Sequence, residues 1–302
     1  MAMNVKQSVS LTLLAGMLAA SPVVLASDAM SLLAQMRTAV HSLSYKGTLV
    51  YAQGNELSTY EISHLVEDGT EKESVIRLSQ GGEAAPDAVE SFSLAKFQAV
   101  IPPAGDAYSL DFGGDETVAN RSCRIVVARP RDRMRYLQRY CIDPASGMLL
   151  KYSLVDRSHQ PVEQLMFTAL DIAQPAPAAA DASAFRVSPN VTSAAPQAMA
   201  QAGQAQDSGG WLFTALPAGF HQVQSLMEPG SGVRQIILSD GMTSVSIFIV
   251  DPGKPGALEN MELSAGAMNI FTAESAGHKV VLVGEVPVAT LKSISEGLQR
   301  AR

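Results

Sequence analysis

The only two cysteines of this 302-residue chain, Cys123 and Cys141, lie within residues 121–141, which also hold seven arginines. Two thiols can form a disulfide. Arginine guanidinium groups bind carboxylates and phosphates through paired hydrogen bonds. Three strand-like segments follow one another from Arg121 to Phe167, separated by turn-forming clusters. The stretch therefore offers two kinds of chemistry, an oxidised cross-link and a binding site for an anion.

The two cysteines are placed symmetrically about Asp132, which lies in a turn-forming cluster. If the flanking strands pair antiparallel about this turn, Cys123 lies opposite Cys141 and Val127 lies opposite Leu137. Directly opposed residues bring their Cβ atoms to roughly 4.5–5.5 Å, close to what a disulfide requires. The spacing predicts a hairpin closed by a structural disulfide, which indicates an oxidising compartment.

The arginines follow a strongly acidic region. Between Glu56 and Glu116 there are thirteen acids and three bases, whereas the seven arginines are accompanied by one acid, Asp132. The two regions could neutralise each other across adjacent strands, or the arginines could form an anion site. The hairpin register places Arg129 opposite Arg135, which is unfavourable unless they share an anion or meet acids elsewhere. The candidate residues for this site are Arg124, Arg129, Arg131, Arg133, Arg135 and Arg139.

The N-terminus has the pattern of a secretory signal. Lys6 precedes an apolar run that extends to Leu25, and small residues end at Ala26. The pattern predicts a signal peptide over residues 1–26, cleaved after Ala26, and therefore an exported protein. Removing it takes one lysine from the 22 basic residues, leaving 21 against 29 acids and a net charge of −8. This balance argues against nucleic acid as a partner.

The remaining chain is long enough for two domains. Residues 173–210 consist mostly of Ala, Pro, Gln, Gly and Ser, and such a composition buries too little apolar surface to fold. We therefore expect an Ala/Pro/Gln-rich linker between an N-terminal domain, 27–172, and a C-terminal domain, 211–302.

The first domain begins with an apolar-faced helix, which we expect to be capped by Ser27 and Asp28. Strand-like alternation follows over 47–52, 57–65, 73–78, 92–101, 108–112, 124–128, 135–142, 148–155 and 162–170. One helix followed by a long meander predicts a half-open antiparallel β-barrel with a helix plug, whose interior is either packed or a cavity. The candidate interior residues are Leu33, Met36, Val40, Leu49, Tyr51 and Ile62.

The second domain opens at the only tryptophan, Trp211. Strands are expected over 211–220, 221–227, 233–239, 243–250, 267–273 and 278–284, with a tight turn at Ser239–Met242. A helix is expected from Pro287 to Leu298. The fold class is therefore α+β, with a smaller antiparallel sheet and one helix in the second domain.

Catalytic signatures are absent from the sequence. The five histidines are scattered, and there is no HExxH, CxxC, GxSxG, P-loop or dinucleotide-binding motif. The sequence indicates no cofactor and no metal, and we expect a protein that is not an enzyme. A hydrolase would require a Ser, a His and an Asp to cluster in the folded chain.

Several segments together resemble one known family. They are Lys46–Tyr51, Asp143–Lys151, Val162–Phe167, Leu216–Phe220, Leu238–Gly241, Val245–Phe248 and Val283–Pro287, with Trp211. In these segments the chain resembles the RseB/MucB family of periplasmic sigma-E factor regulatory proteins, over nearly the whole mature chain. The resemblance implies an N-terminal domain like the lipoprotein carrier fold.

The resemblance also implies a function. The protein would bind the periplasmic segment of a membrane anti-sigma factor and shield it from regulated proteolysis, as a negative regulator of the envelope-stress sigma factor. Release would follow a lipid-type signal, from lipopolysaccharide or lipoprotein acyl chains. We expect the C-terminal domain and the linker to contact the partner, with Trp211, Phe220 and Phe248 as the candidate residues of the domain.

A periplasmic lipid or lipoprotein carrier is the alternative function, in which the first domain does the work. The second domain distinguishes the two, because a simple carrier does not need it. One departure bears on lipid binding: residues 79–86 form a short Gly/Glu/Ala/Pro segment where relatives have a longer stretch rich in Tyr and Pro. Self-association into a homo-oligomer is left open by the sequence.

Overall fold

The computed structural model describes residues 23–78, 94, 107–173, 208–228, 230–252 and 261–301, with side chains from Asp28 onward. Residues 1–22 of the predicted signal peptide lie outside this part of the chain. So do the predicted strand at 92–101 apart from Leu94, the short segment at 79–86 and nearly all of the predicted linker. Neither helix in the described ranges is both long and apolar enough to cross a membrane.

Helix α1 spans Val23–Ser42 and begins four residues before the expected cap at Ser27. The helix runs through Ser27 and Asp28, so neither residue caps it. The expected apolar face is present: Leu33, Met36 and Val40 are buried.

Eight antiparallel strands form a large open sheet. Their bounds are β1 Tyr45–Gln53, β2 Glu56–Glu67, β3 Thr70–Leu78, β4 Tyr108–Val118, β5 Arg121–Pro130, β6 Leu137–Ile142, β7 Leu149–Val155 and β8 Pro161–Ile172. The strand order is β3-β2-β1-β8-β7-β6-β5-β4, so β3 and β4 are the edge strands within the described residues. The predicted half-open barrel with a helix plug is confirmed. We call this sheet with α1 the N-terminal unit.

Strand alternation gives the large sheet two different faces. The core face carries a register row of buried side chains that packs in one cluster with α1: Val126, Tyr140, Tyr152 and Leu165. The outer face carries the neighbouring row: Val127, Arg139, Ser153 and Gln164. The candidate interior residues Leu33, Met36, Val40, Leu49 and Ile62 are buried in this core, and Tyr51 is partly buried against it.

A second, six-stranded antiparallel sheet follows. Its elements are β10 His221–Glu228, β11 Val233–Ser239, β12 Ser244–Val250, β13 Glu262–Ala265, β14 Met268–Ser275, β15 His278–Gly284 and α2 Val288–Gly297. The strand order is β10-β11-β12-β15-β14-β13. Strand β9, Trp211–Phe213, pairs separately with β16, Leu298–Arg300. These elements are the C-terminal unit, and α2 confirms the predicted helix.

Two short strands of this unit were not predicted. Strands β13 and β16 have only four and three residues, and every residue of β13 is exposed, so neither carries an apolar alternation. The strand predicted over 211–220 is limited to Trp211–Phe213. The turn predicted at Ser239–Met242 is present, and Gly241 has a φ of 92°, in the region that favours glycine.

The cysteine hairpin forms with a different register from the predicted one. Strand β5 pairs with β6 so that Ile125, and not Cys123, lies opposite Cys141. The two cysteines are bonded diagonally, with a Cα–Cα distance of 5.3 Å. The register prediction was wrong because the strand begins at Leu137 rather than at Arg135, which moves the centre of the turn to Arg133.

Candidate functional site

Arg135 lies in the connection between β5 and β6, and its side chain binds residues of the C-terminal unit. Its Nε donates a hydrogen bond to Asp240 Oδ2, its Nη1 to Asp132 Oδ2 and its Nη2 to the carbonyl oxygen of Ala218. The guanidinium carbon lies 4.7 Å from the centre of the Phe220 ring. The predicted place of Arg135 in an anion site is therefore wrong, because its side chain is fully buried and its donors are occupied within the protein.

Asp240 is the acceptor at the centre of this contact. Its Oδ2 also accepts a hydrogen bond from the Tyr108 hydroxyl at 3.0 Å, and its Oδ1 accepts from the backbone N–H groups of Met242 and Thr243. Burial, and then the Asp240 carboxylate, raise the pKa of Tyr108, so the hydroxyl stays a neutral donor. Burial alone would lower the pKa of Arg135, but its hydrogen bond to Asp240 and the charge of that carboxylate raise it. The contact is a satisfied, buried ion pair.

Further hydrogen bonds continue this contact along the boundary. Asn269 Nδ2 donates to the Tyr136 hydroxyl at 3.1 Å, and Thr290 Oγ1 donates to the carbonyl oxygen of Met134 at 2.7 Å. Gln53 Nε2 donates to the carbonyl oxygen of Ala265 at 3.1 Å. These contacts come from the end of β1 and from the connection between β5 and β6, so the two units meet along several strands of the large sheet.

The backbone of the β13–β14 turn, at Gly266, lies against the ends of strands β1 and β8 of the large sheet. Gly266 has a φ of 59°, and a Cβ there would lie 2.9 Å from the carbonyl oxygen of Val162. The next residue, Ala267, is fully buried and belongs to the core of the N-terminal unit. Residue 266 must therefore be a glycine for the turn to pack against the large sheet, because any side chain there would clash with backbone atoms.

A groove of about 450 Å³ crosses the outer face of strands β5 to β8. Its positively charged lining comes from three strands: Arg129 on β5, Arg139 on β6 and Lys151 on β7. Its floor is aliphatic and consists of Ile125, Val127, Leu137 and Val155. One acid reaches it, Glu116, whose carboxylate lies 3.1 Å from Lys151 Nζ and 3.7 Å from Arg139 Nη2. Three cations therefore face one carboxylate in this lining.

One wall of the groove depends on a bulge in β4. The register between β4 and β5 shifts between Phe112 and Asp115, which adds one residue to β4. A Cβ on Gly113 would lie 2.8 Å from Val127 Cγ2, so this strand approaches the groove floor more closely than a side chain allows. Gly114 has a φ of 101° and completes the bulge.

The structure places the predicted anion-site arginines in four different surroundings. Arg129 and Arg139 line the groove, and Arg135 is in the unit boundary. Arg124 is exposed and pairs with Asp115 at 3.3 Å. Arg131 and Arg133 are exposed in the connection between β5 and β6, where Arg131 Nε donates to the carbonyl oxygen of Tyr108 at 3.5 Å. Part of the predicted site is thus brought together.

The candidate residues of the C-terminal unit differ in exposure. Trp211 is buried, with its ring edge-on to His278 at 5.1 Å between centroids, and Phe220 is buried under Arg135. Phe248 is partly exposed on β12. Two of the three therefore contribute to packing within the protein.

Sequence reasoning missed Asp240, Tyr108 and Asn269 as boundary residues. Asp240 was recognised only as part of a turn, and no spacing relates it to Arg135, which lies 105 residues away. Lys151 and Glu116 enter the groove only through the strand register, so only a correct pairing of β4 to β7 would have identified them.

Comparison with known proteins places both units in one family. The MucB/RseB N-terminal domain matches residues 28–85 and 85–190, and the MucB/RseB C-terminal domain matches residues 205–299. The sigma factor AlgU regulatory protein MucB of Pseudomonas aeruginosa is 27% identical, with 96% of each chain covered. The sigma-E factor regulatory protein RseB of Escherichia coli K12 is 25% identical, over 83% of this chain and 73% of its own.

Solved structures show the same fold. A crystal structure of MucB is 25% identical and covers 91% of this chain and 98% of that chain, with a TM-score of 0.58. The Pseudomonas aeruginosa MucA/MucB complex gives a TM-score of 0.67 at 23% identity, over 91% of this chain and 99% of that chain. With both domain models matched in order along one chain, this protein belongs to the MucB/RseB family.

Proposed function

We propose that this protein is a negative regulator of an envelope-stress sigma factor, and that it acts by binding the periplasmic segment of a membrane anti-sigma factor. The observation that carries the proposal is the match of both MucB/RseB domains, in order, over most of the chain. Relatives with these two domains are named as sigma factor regulatory proteins, and a relative MucB is solved in complex with MucA.

The protein acts in the periplasm after cleavage of a signal peptide behind Ala26. The disulfide between Cys123 and Cys141 supports this location, because such bonds persist in oxidising compartments. The mature chain consists of an N-terminal domain, 27–172, a linker, 173–210, and a C-terminal domain, 211–302. It regulates by occupying its partner and catalyses no reaction.

Binding shields the anti-sigma factor from proteolysis. While this protein covers the periplasmic segment, a protease has no access to it, and dissociation exposes the cleavage site. Regulation then depends on the affinity of this protein for the anti-sigma factor and on the signal that lowers that affinity.

A binding and protection assay tests this function. The purified mature chain is titrated with the periplasmic segment of the anti-sigma factor from the same organism, and binding is measured by calorimetry. The segment is then exposed to a protease with and without the chain. We expect a saturable complex and slower cleavage of the bound segment. No binding by the intact mature chain would overturn the proposal.

Release by a lipid-type signal is the second part of the proposal. Adding lipopolysaccharide or an acylated lipoprotein peptide to the preformed complex should displace the segment, whereas the deacylated peptide should not. A lipid or lipoprotein carrier is distinguished in the same experiment: the purified chain would contain lipid in equal molar amount and would not bind the segment.

A further inference from the structure

The outer groove has the composition of a binding surface rather than of a neutralised strand face. Arg139 and Lys151 share the one acid of the lining, Glu116, and Arg129 has no acid within ion-pair distance among the described residues. The chain as a whole has a net charge of −7. A basic groove on an acidic molecule attracts a negatively charged partner to one place and repels it elsewhere.

The shape of the groove favours a polypeptide over a single ion. It crosses four strands, which at about 4.8 Å between neighbours makes a floor roughly 14 Å wide. An extended chain advances about 3.3 Å per residue, so roughly four residues cross this distance. A single carboxylate or phosphate would contact one guanidinium and leave the aliphatic floor uncovered.

Aliphatic and charged side chains alternate in the lining of the groove. The outer-face row of Val127 and Arg139 continues to Ser153 and Gln164, while the next row carries Ile125 and Lys151. Aliphatic and cationic side chains are therefore interleaved in the lining of the groove. A peptide with acidic and aliphatic side chains in alternation complements this arrangement. An acyl chain needs an enclosed apolar cavity, whereas this groove is open and its rim is charged.

Resting on the proposed function, we infer that the outer groove receives an acidic, aliphatic segment of the anti-sigma factor. The charged groups Arg129, Arg139 and Lys151 hold the carboxylates of that segment, and the floor covers its apolar side chains. This surface lies on the face of the large sheet opposite the buried core row, and it is built by the N-terminal unit alone.

The test uses the mature full chain and two matched variants. Arg129→Gln together with Arg139→Gln removes two groove charges and keeps polar side chains of similar reach. Arg124→Gln is the control, because Arg124 is on the same strand as Arg129, pairs with Asp115 and does not line the groove. Thermal unfolding of each variant establishes that it is folded.

We expect the double variant to bind the anti-sigma segment at least about tenfold more weakly at low salt, and the control to bind within about twofold of the wild type. Raising the salt concentration should weaken the wild type more than the double variant. Equal binding by the wild type and the double variant would overturn the groove inference while the proposed function stands.

A second probe separates the two proposals. A synthetic peptide of alternating glutamate and leucine is titrated against the same three proteins, in parallel with inorganic phosphate and phosphatidylglycerol vesicles. If the double variant binds the peptide more weakly than the wild type and the control do, the groove is supported as a site for acidic peptides. Failure of the wild type to bind the anti-sigma segment would count against the proposed function, whatever the peptide result. If phosphate or the vesicles displace the peptide at the same charge concentration, the groove is a general anion site and the inference is wrong.

Discussion

Arg135 of the N-terminal unit and Asp240 of the C-terminal unit form an ion pair whose two side chains are fully shielded from solvent. An ion pair in this setting contributes to the specificity of an interface, because neither charge can be buried without the other. It therefore defines one arrangement of the two units.

Breaking this pair from one side should destabilise the protein. We expect Arg135→Met to lower the free energy of unfolding by about 3–5 kcal/mol, because it leaves the buried Asp240 carboxylate unpaired, and Asp240→Asn to cost less, because Arg135 still pairs with Asp132. Urea denaturation followed by circular dichroism measures the loss.

The double variant and an exposed pair are the controls. Arg135→Met with Asp240→Asn should cost clearly less than the sum of the single changes, since no charge is left unpaired. Arg124→Ala, which removes the exposed pair with Asp115, should cost about 0–1 kcal/mol. Additive costs in the double variant would show that the two residues do not interact.

The disulfide should stabilise the N-terminal unit through the unfolded chain. Cys123 and Cys141 are 18 residues apart, and closing a loop of this length contributes about 3 kcal/mol. We expect the Cys123→Ala and Cys141→Ala double variant to lose about this amount. Dithiothreitol should lower the urea midpoint of the wild type and leave that of the variant unchanged. A wild-type midpoint that is insensitive to full reduction would contradict the prediction.

Asp143 should make stability depend on pH. Burial alone would raise the pKa of its carboxyl, but hydrogen bonds from Ala145 N, Ser146 Oγ and Arg121 Nη1 lower it below its ordinary value. A lowered folded-state pKa gives stability that is present above the unfolded pKa of about 3.9 and is lost as the pH falls through the folded value.

Asp143→Asn tests this sign. The wild type should exceed the variant in free energy of unfolding at pH 7, and the difference should shrink below about pH 4. Urea titrations at pH 7, 5 and 3 measure it. A difference that grows on acidification would mean that the carboxyl is stabilised in its protonated form.

Gly147 should resist substitution more than a glycine in an open turn. It has a φ of 77°, and a Cβ there would lie 3.2 Å from Ala39 Cβ and 3.1 Å from the carbonyl oxygen of Gln35 on α1. Gly147→Ala adds this contact to a conformational cost of about 1–2 kcal/mol.

Gly69→Ala is the matched control. Gly69 has a φ of 75°, and a Cβ there would have no atom within 4 Å, so it carries the conformational cost alone. Thermal or urea unfolding of both variants gives the difference. Equal losses would indicate that α1 moves away freely from the turn at Gly147.

Local pattern accounts for most of the elements and for the disulfide. Leu33, Met36 and Val40 mark the buried face of α1, and alternation marks strands such as β2 and β15, since burial on one face requires it. The cysteine partners were evident because the chain has only two. The elements depend on residues that are close in the sequence, and the disulfide depends on two cysteines that can pair in only one way.

The rest depends on contacts that sequence spacing does not encode. The register of the cysteine hairpin differs because β6 begins only at Leu137, while Arg135 before it is held by Asp240 in the β11–β12 turn of the C-terminal unit. The predicted anion site included Arg129 and Arg139 but no groove, because the shape of the groove comes from the Gly113–Gly114 bulge and its third cation, Lys151, from the strand pairing. Pairing between residues far apart in the sequence decides both the hairpin register and the groove, and one sequence does not reveal that pairing.

Ala267 fills a place in the core of the N-terminal unit although it is made long after that unit's last strand. The N-terminal unit on its own would therefore leave this place open to water, and its core is complete only when the C-terminal unit is docked. Residues 27–172 expressed alone would form a less stable domain than the same residues in the full chain.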